Sequence, residues 1–190
     1  REANNDEAKR LVIDGLNNGP IAENTIDANE QHYEVPAEYF KAVLGPRLKY
    51  SCCWFDDENT SLGEAENKMM ESYIERAKIE DGQIILDLGC GWGSLSIFLA
   101  ERFPNCTIYS VSNSSDQIEH IKKTARDKNL KNLHPEVQDV NSLSLMEKFD
   151  RVVSIEMFEH MRNYQALLQK VEHLLKPEGL LFIHIFCHKE

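Results

Sequence analysis

The chain has 190 residues, 42% of them hydrophobic, enough to bury one sizeable core in a single domain with a helical appendage. Its formal net charge of −11 argues against a nucleic-acid partner, whose affinity is built from neutralised phosphates, and more weakly against docking on anionic membranes. No apolar run approaches about 18 residues, so no stable membrane insertion is expected, and no signal peptide is evident.

The opening at Arg1 rather than methionine predicts a trimmed N-terminus. Residues 3–17 are mostly polar, with Leu11, Val12 and Leu16 as a short apolar patch, and read as a loosely docked helix. Residues 25–44 hold two short helices separated by Pro36, and 48–55 form an extended segment. Ser61-x-x-Glu64 is a capping box that opens a helix with Leu62, Ala65, Met69, Tyr73 and Ala77 on one face. Strands then alternate with helices: strands near 84–88, 107–111, 134–138, 151–155 and 180–186, the last after Pro177-x-Gly179. That alternation predicts a parallel sheet covered on both faces. The five cysteines, Cys52, Cys53, Cys90, Cys106 and Cys187, contain no C-x-x-C pair and leave one over, which fits a reduced cytoplasmic protein.

The most informative stretch is IILDLGCGWGSLSIFLA (84–100). Ile84, Ile85, Leu86 and Leu88 suit a strand buried on both faces. Gly89, Gly91 and Gly93 follow as a turn whose backbone can take positive φ and lie against a ligand. Leu95, Phe98 and Leu99 then repeat at helical spacing, placing a helix start at about Trp92. Strand, glycine turn and helix in this order form a nucleotide-type cofactor site. The dinucleotide fingerprint G-x-G-x-x-G is not met, because the third glycine comes one position early, and no lysine follows to make a P-loop. A glycine-rich turn without a ligand is the plainer alternative. Asp87-x-Gly89-x-Gly91-x-Gly93 resembles the first motif of S-adenosylmethionine-dependent methyltransferases.

The fourth strand ends in Ile155-Glu156-Met157-Phe158-Glu159-His160. If this tip is helical, both carboxylates and the imidazole share one face, on the same side of the sheet as the glycine turn. An ammonium has no lone pair, so methyl transfer to an amine needs a base, and nearby negative charge draws in a cationic substrate. A solvated helix start, with acids favoured by the helix dipole, is the competing reading. No H-E-x-x-H or comparable spacing supports a metal site, and none is expected.

From about Asp27 to Lys189 the chain resembles the cyclopropane-fatty-acid-synthase superfamily, and within it the coclaurine N-methyltransferase-like branch. The matches are ANEQHYEVP (28–36), LGPRLKYSCCWF (44–55), LDLGCGWGSLS (86–96), VSNSSDQ (111–117), QDV (138–140), SIEMFEHMRNY (154–164) and FIHIFCHK (182–189). The resemblance implies S-adenosyl-L-methionine as cofactor, with S-adenosyl-L-homocysteine as product. It implies that Tyr50 and Ser51 close over the cofactor and that Asp87, Gly89 and Gly91 belong to its site. Gln138, Asp139 and Val140 would flank the adenine, while Asn113 and Gln117 share the ribose role that an acid plays in many methyltransferases. Glu156, Glu159 and His160 match the catalytic cluster of the N-methyltransferases. Cys52, Glu159 and His184 also fit the positions with which cyclopropane synthases hold a bicarbonate. Glu156, however, stands where those enzymes typically carry glycine, and their further tyrosine lies beyond Glu190.

The expectation is therefore an α/β, doubly wound (Rossmann-like) class I methyltransferase fold with a helical N-terminal cap, its C-terminal strands missing from this chain. Residues 1–60 would form the cap and cofactor-covering segment, and 61–190 the cofactor-binding domain, incomplete at its C-terminus. The fifth strand would be an uncovered edge. The expected activity is N-methylation of a small-molecule amine; methylene transfer to an unsaturated lipid and a non-catalytic cofactor-binding module are the alternatives. Assembly into a homo-oligomer stays open.

Overall fold

The computed structural model describes residues 2–23 and 37–188. The ANEQHYEVP motif and the first of the two short helices expected in 25–44 lie outside the described residues.

Five strands, β1 (Ile84–Leu88), β2 (Thr107–Ser112), β3 (Leu133–Val137), β4 (Phe149–Ile155) and β5 (Leu175–His184), form one sheet in the order β3-β2-β1-β4-β5. Every neighbouring pair is parallel. Side chains alternate between two cores, as a period of two requires. Ile85, Ile108 and Val153 enter the core that includes Met70, Leu99 and Ile121. Leu86, Leu88, Val111 and Val152 enter the other, with Phe149, Leu167 and Val171. Both faces are thus covered at the centre of the sheet, as the mainly apolar run of β1 anticipates.

Among the described residues six α-helices surround the sheet: α1 (Glu2–Asn18), α2 (Ala37–Val43), α3 (Leu62–Arg76), α4 (Ser94–Arg102), α5 (Ser115–Asp127) and α6 (Tyr164–Leu174). The α3 capping box is present in both directions: Ser61 N–H donates to Glu64 Oε2 at 2.9 Å and Glu64 N–H to Ser61 Oγ at 3.4 Å. Helix α1 exposes Leu11, Val12 and Ile13. The chain just after it is tied to the start of α6, where Asn163 Nδ2 donates to Asn17 O and Gly19 O, and Arg162 N–H to Ile21 O.

Among the boundaries that differ from the sequence-based expectation, two have a clear physical reason. Helix α4 starts at Ser94 rather than Trp92, because Gly91 (φ 52°) and Gly93 (φ 80°) are left-handed and incompatible with a helical first turn. Strand β5 ends at His184 instead of 186, and the Pro177-x-Gly179 signal appears as a register shift: Phe149 pairs with Leu175, but Arg151 with Leu180. β5 lies at one edge of the sheet, with Leu180 and Ile183 exposed. Among the described residues no helix is long and apolar enough to cross a membrane. The strand order reverses between β1 and β4, so the crevice expected of such sheets opens where both strands end, at Leu88 and Ile155.

Candidate active site

The glycine turn is held to the end of β2 by Gly89 N–H and Cys90 N–H, which both donate to Val111 O, at 2.9 and 3.0 Å. Its three glycines do different work. A Cβ at Gly89 would lie 2.7 Å from Met157 Cγ, and one at Gly93 would lie 2.5 Å from Ile121 Cγ1. A Cβ at Gly91 would meet nothing within 4 Å, so the middle of the turn presents bare backbone to open space, as a ligand cradle requires. Above it, Phe40 of α2 packs on Trp92 (ring centroids 5.1 Å) and edge-on against Tyr50 (5.5 Å), which is itself 63% exposed. Met157 against Gly89 makes the turn and the 156–160 segment direct neighbours.

Asp87 is 2% exposed and accepts Ser96 Oγ–H at 2.5 Å, so its carboxyl braces the turn from beneath. Burial pushes its pKa up to about 6, opposed by the Ser96 bonds. A group whose folded pKa lies above its unfolded value of 3.8 favours the fold below that value, and the benefit disappears as pH rises through 6. A rise of this size corresponds to about 3 kcal/mol of preference for the protonated carboxyl. Asp87→Asn is therefore expected to gain stability relative to the native chain as pH is raised from 4 to 7 in urea unfolding. A difference between the two that does not change with pH would remove this account.

At the end of β2, Ser112 Oγ–H donates to Gln117 Oε1 at 2.7 Å, and Ser114 N–H donates back to Ser112 Oγ. Gln117 is only 2% exposed, so its oxygen shapes the Ser112–Asn113 corner from inside. Asn113 is half-buried at that corner. After β3, Gln138 N–H donates to Ser112 O, Gln138 Oε1 accepts Ser144 N–H at 3.0 Å, and Asp139 Oδ1 accepts Asn141 N–H at 2.7 Å. Val140 packs on the second core. These residues share the carboxyl edge of the sheet with the glycine turn.

The tip of β4 is not a continuous helix. Glu156 is left-handed (φ 49°), a conformation that costs a non-glycine residue of order 1–3 kcal/mol, and a 3-10 turn covers only Phe158–His160. The one-face arrangement of Glu156, Glu159 and His160 therefore does not form. Glu156 turns towards the 49–53 segment, where its Oε1 accepts Cys52 N–H at 3.1 Å, while its own N–H donates to His184 O at 2.7 Å. Glu159 Oε1 accepts Phe186 N–H at 2.9 Å, and its Oε2 is buried with no partner among the described residues. His160 is exposed at the end of the 3-10 turn.

Ligand atoms of Cys52, Glu156 and His184 lie within 4.8 Å of one another, with Cys52 Sγ 3.9 Å from His184 Nε2. Burial, reinforced by Glu156, raises the Cys52 thiol, so its resting form is not the thiolate that a nucleophile or metal ligand needs. Beneath this cluster lies a network that sequence reasoning missed. Lys49, 5% exposed, donates to Cys52 O (2.7 Å), Ser51 Oγ and Tyr73 Oη (3.1 Å), and Tyr73 Oη lies 3.1 Å from His184 Nδ1. Burial lowers the Lys49 pKa, opposed by Cys53, Cys52, Glu156 and Glu66. Glu66 of α3, fully buried, accepts Lys49 N–H and Arg47 N–H. The available signal was its position on the apolar stripe, four residues from both Leu62 and Met70.

The parallel sheet, the reversal of strand order and the glycine turn at that reversal define a class I methyltransferase fold. The profile of the family described as mycolic acid cyclopropane synthetase matches residues 22–190, and the chain belongs to that family. It is similar to (S)-coclaurine N-methyltransferase of Thalictrum flavum subsp. glaucum, 41% identical over 89% of this chain and 47% of the relative. Cyclopropane-fatty-acyl-phospholipid synthase of Escherichia coli (strain K12) is 29% identical over 85% of this chain and 41% of the relative. The crystal structure of coclaurine N-methyltransferase bound to N-methylheliamine and SAH superposes with a TM-score of 0.88 at 40% identity, covering 92% of this chain and 51% of that one. The chain thus spans about half the length of the relatives it matches.

Proposed function

We propose that this chain carries the cofactor half of an S-adenosylmethionine-dependent methyltransferase that N-methylates a small amine. The observation that carries the reading is the pair of carboxylates at the end of β4, Glu156 and Glu159, flanking a methionine packed on the glycine turn. Bare backbone at Gly91 fits a cofactor that lies against the turn, as does its open surrounding space. Tyr50, Ser51, Asp87, Gly89, Gly91, Asn113, Gln117, Gln138, Asp139 and Val140 would hold S-adenosyl-L-methionine, Asp87 and Gln117 by bracing the backbone from inside. When bound, the cofactor supplies an electrophilic methyl group on a sulfonium. Glu159 attracts and orients a cationic amine, and Glu159 and His160 are the groups that take its proton before attack. Transfer itself needs alignment and exclusion of water. Solved coclaurine N-methyltransferase with SAH and an N-methylated ligand supports both cofactor and acceptor class. Labelled-methyl transfer by the full-length protein, across amines and phospholipid vesicles, tests the reading; cofactor binding without any transfer would favour a non-catalytic module.

The 3.9 Å approach of Cys52 and His184 favours a second reading, methylene transfer to a lipid alkene with bicarbonate as base. Against it, the Glu156 carboxylate already brings a negative charge beside both groups, and a second anion there meets like-charge repulsion. Cys52→Ala is expected to retain most amine methylation, since the backbone N–H that Cys52 donates to Glu156 is kept when the thiol is removed. His184→Gln is expected to keep partial activity. Loss of activity in both variants, with rescue by added bicarbonate on unsaturated phospholipid, would promote the lipid reading.

A further inference from the structure

Lys49 has no task in methyl transfer itself, although its ammonium is buried at the back of the site. An ammonium has three hydrogens and no lone pair. Cys52 O, Ser51 Oγ and Tyr73 Oη accept all three. Tyr73 Oη therefore accepts a hydrogen bond from the ammonium, and burial holds the phenol in its protonated form. Its own hydrogen has His184 Nδ1 in range at 3.1 Å, while Ser51, whose Oγ accepts the ammonium, engages the same phenol oxygen as a hydrogen-bond donor. The Tyr73 ring also packs against the imidazole, centroids 5.4 Å apart and planes 45° apart, so the pair is held in register. Glu156 Oε1 lies 3.9 Å from the same Nδ1, beyond hydrogen-bond range. The opposite arrangement, with Nδ1–H donating, would place a further donor on the phenol oxygen and turn its proton away from the imidazole.

We propose that Lys49, acting through Tyr73, fixes His184 in the Nε2–H tautomer. The direction of the chain is read from its origin: a group that can only donate occupies one lone pair of Tyr73 Oη, the phenol hydrogen is left to donate onward, and Nδ1 is the acceptor in range. His184 consequently presents a donor, not a base, on its Nε2 side, where Cys52 Sγ lies 3.9 Å away. Lys49 is a positioning residue, as is Tyr73. This assignment also accounts for the partial activity expected of His184→Gln, because a carboxamide still offers an N–H.

The test needs neither cofactor nor acceptor, so its failure is separable from failure of the methyl-transfer reading. The chain is labelled with ring-15N histidine, and long-range 1H–15N spectra are recorded at about pH 8.5, above the ordinary imidazole range. His184→Gln identifies the resonances. The native protein is expected to show the Nε2–H pattern for His184. Tyr73→Phe, which removes one oxygen and keeps the ring, and Lys49→Met are each expected to shift it to a mixture or to Nδ1–H. An Nδ1–H pattern in the native protein would overturn the proposal, and so would an unchanged Nε2–H pattern in folded Tyr73→Phe. If Lys49→Met does not fold, Tyr73→Phe decides the phenol's role and Lys49→Gln decides that of the ammonium.

Discussion

Glu159→Gln and His160→Ala are each expected to depress turnover on an amine by roughly 10²–10⁴-fold, the scale of acid–base catalysis, with cofactor affinity little changed. The glutamine is the informative substitution. It keeps an Oε1 that can accept Phe186 N–H, so the contact with the chain after β5 survives, while the carboxylate's negative charge is lost and Oε2 becomes an N–H donor. His160 is exposed and caps no buried contact among the described residues, so its loss should cost little stability. Native activity should rise with pH as the amine loses its proton. Near-native turnover in both variants, with a flat pH profile, would reduce the 156–160 segment to a structural cap.

The glycines of the turn are expected to separate folding from binding. Gly93→Val forces a branched side chain into a left-handed residue, which costs about 1–2 kcal/mol. It also drives that side chain into Ile121, which is fully buried, adding about 1–3 kcal/mol of overpacking. Gly91→Val carries only the first cost, because its Cβ meets no protein atom. It should fold, yet it places bulk over the backbone that the cofactor approaches and weakens binding by at least about 2 kcal/mol. Urea unfolding ranks the two stabilities, and calorimetry with the cofactor or its demethylated product reads the affinity. Equal stability loss in the two variants, or undiminished affinity in folded Gly91→Val, would defeat this division of labour.

The strands, most of the helices and the glycine turn were legible because they rest on local signals. Ile84–Leu88 could only be a doubly buried strand, Ser61 and Glu64 satisfy each other across one helical turn, and glycines at alternate positions mark a backbone that needs positive φ. Motif resemblance extended this to the family, since several short matches fell in the same order along one chain. The arrangement at the β4 tip was not legible. Helical spacing put Glu156, Glu159 and His160 on one face, but Glu156 adopts a left-handed backbone, held by His184 O and Cys52 N–H from elements 28 and 104 residues away in sequence. Lys49 and Glu66 escaped notice for the same reason, and Tyr73 was read only as part of an apolar helix face. A lysine between a leucine and a tyrosine reads as a solvated charge until the fold brings it a serine, a carbonyl and a phenol. The sequence by itself determined which segments form strands, helices and the glycine turn, because periodicity and turn chemistry act over a few residues. Only the tertiary structure decided which charges are buried and which hydrogen bonds point where, because burial and partners are supplied by chain far away.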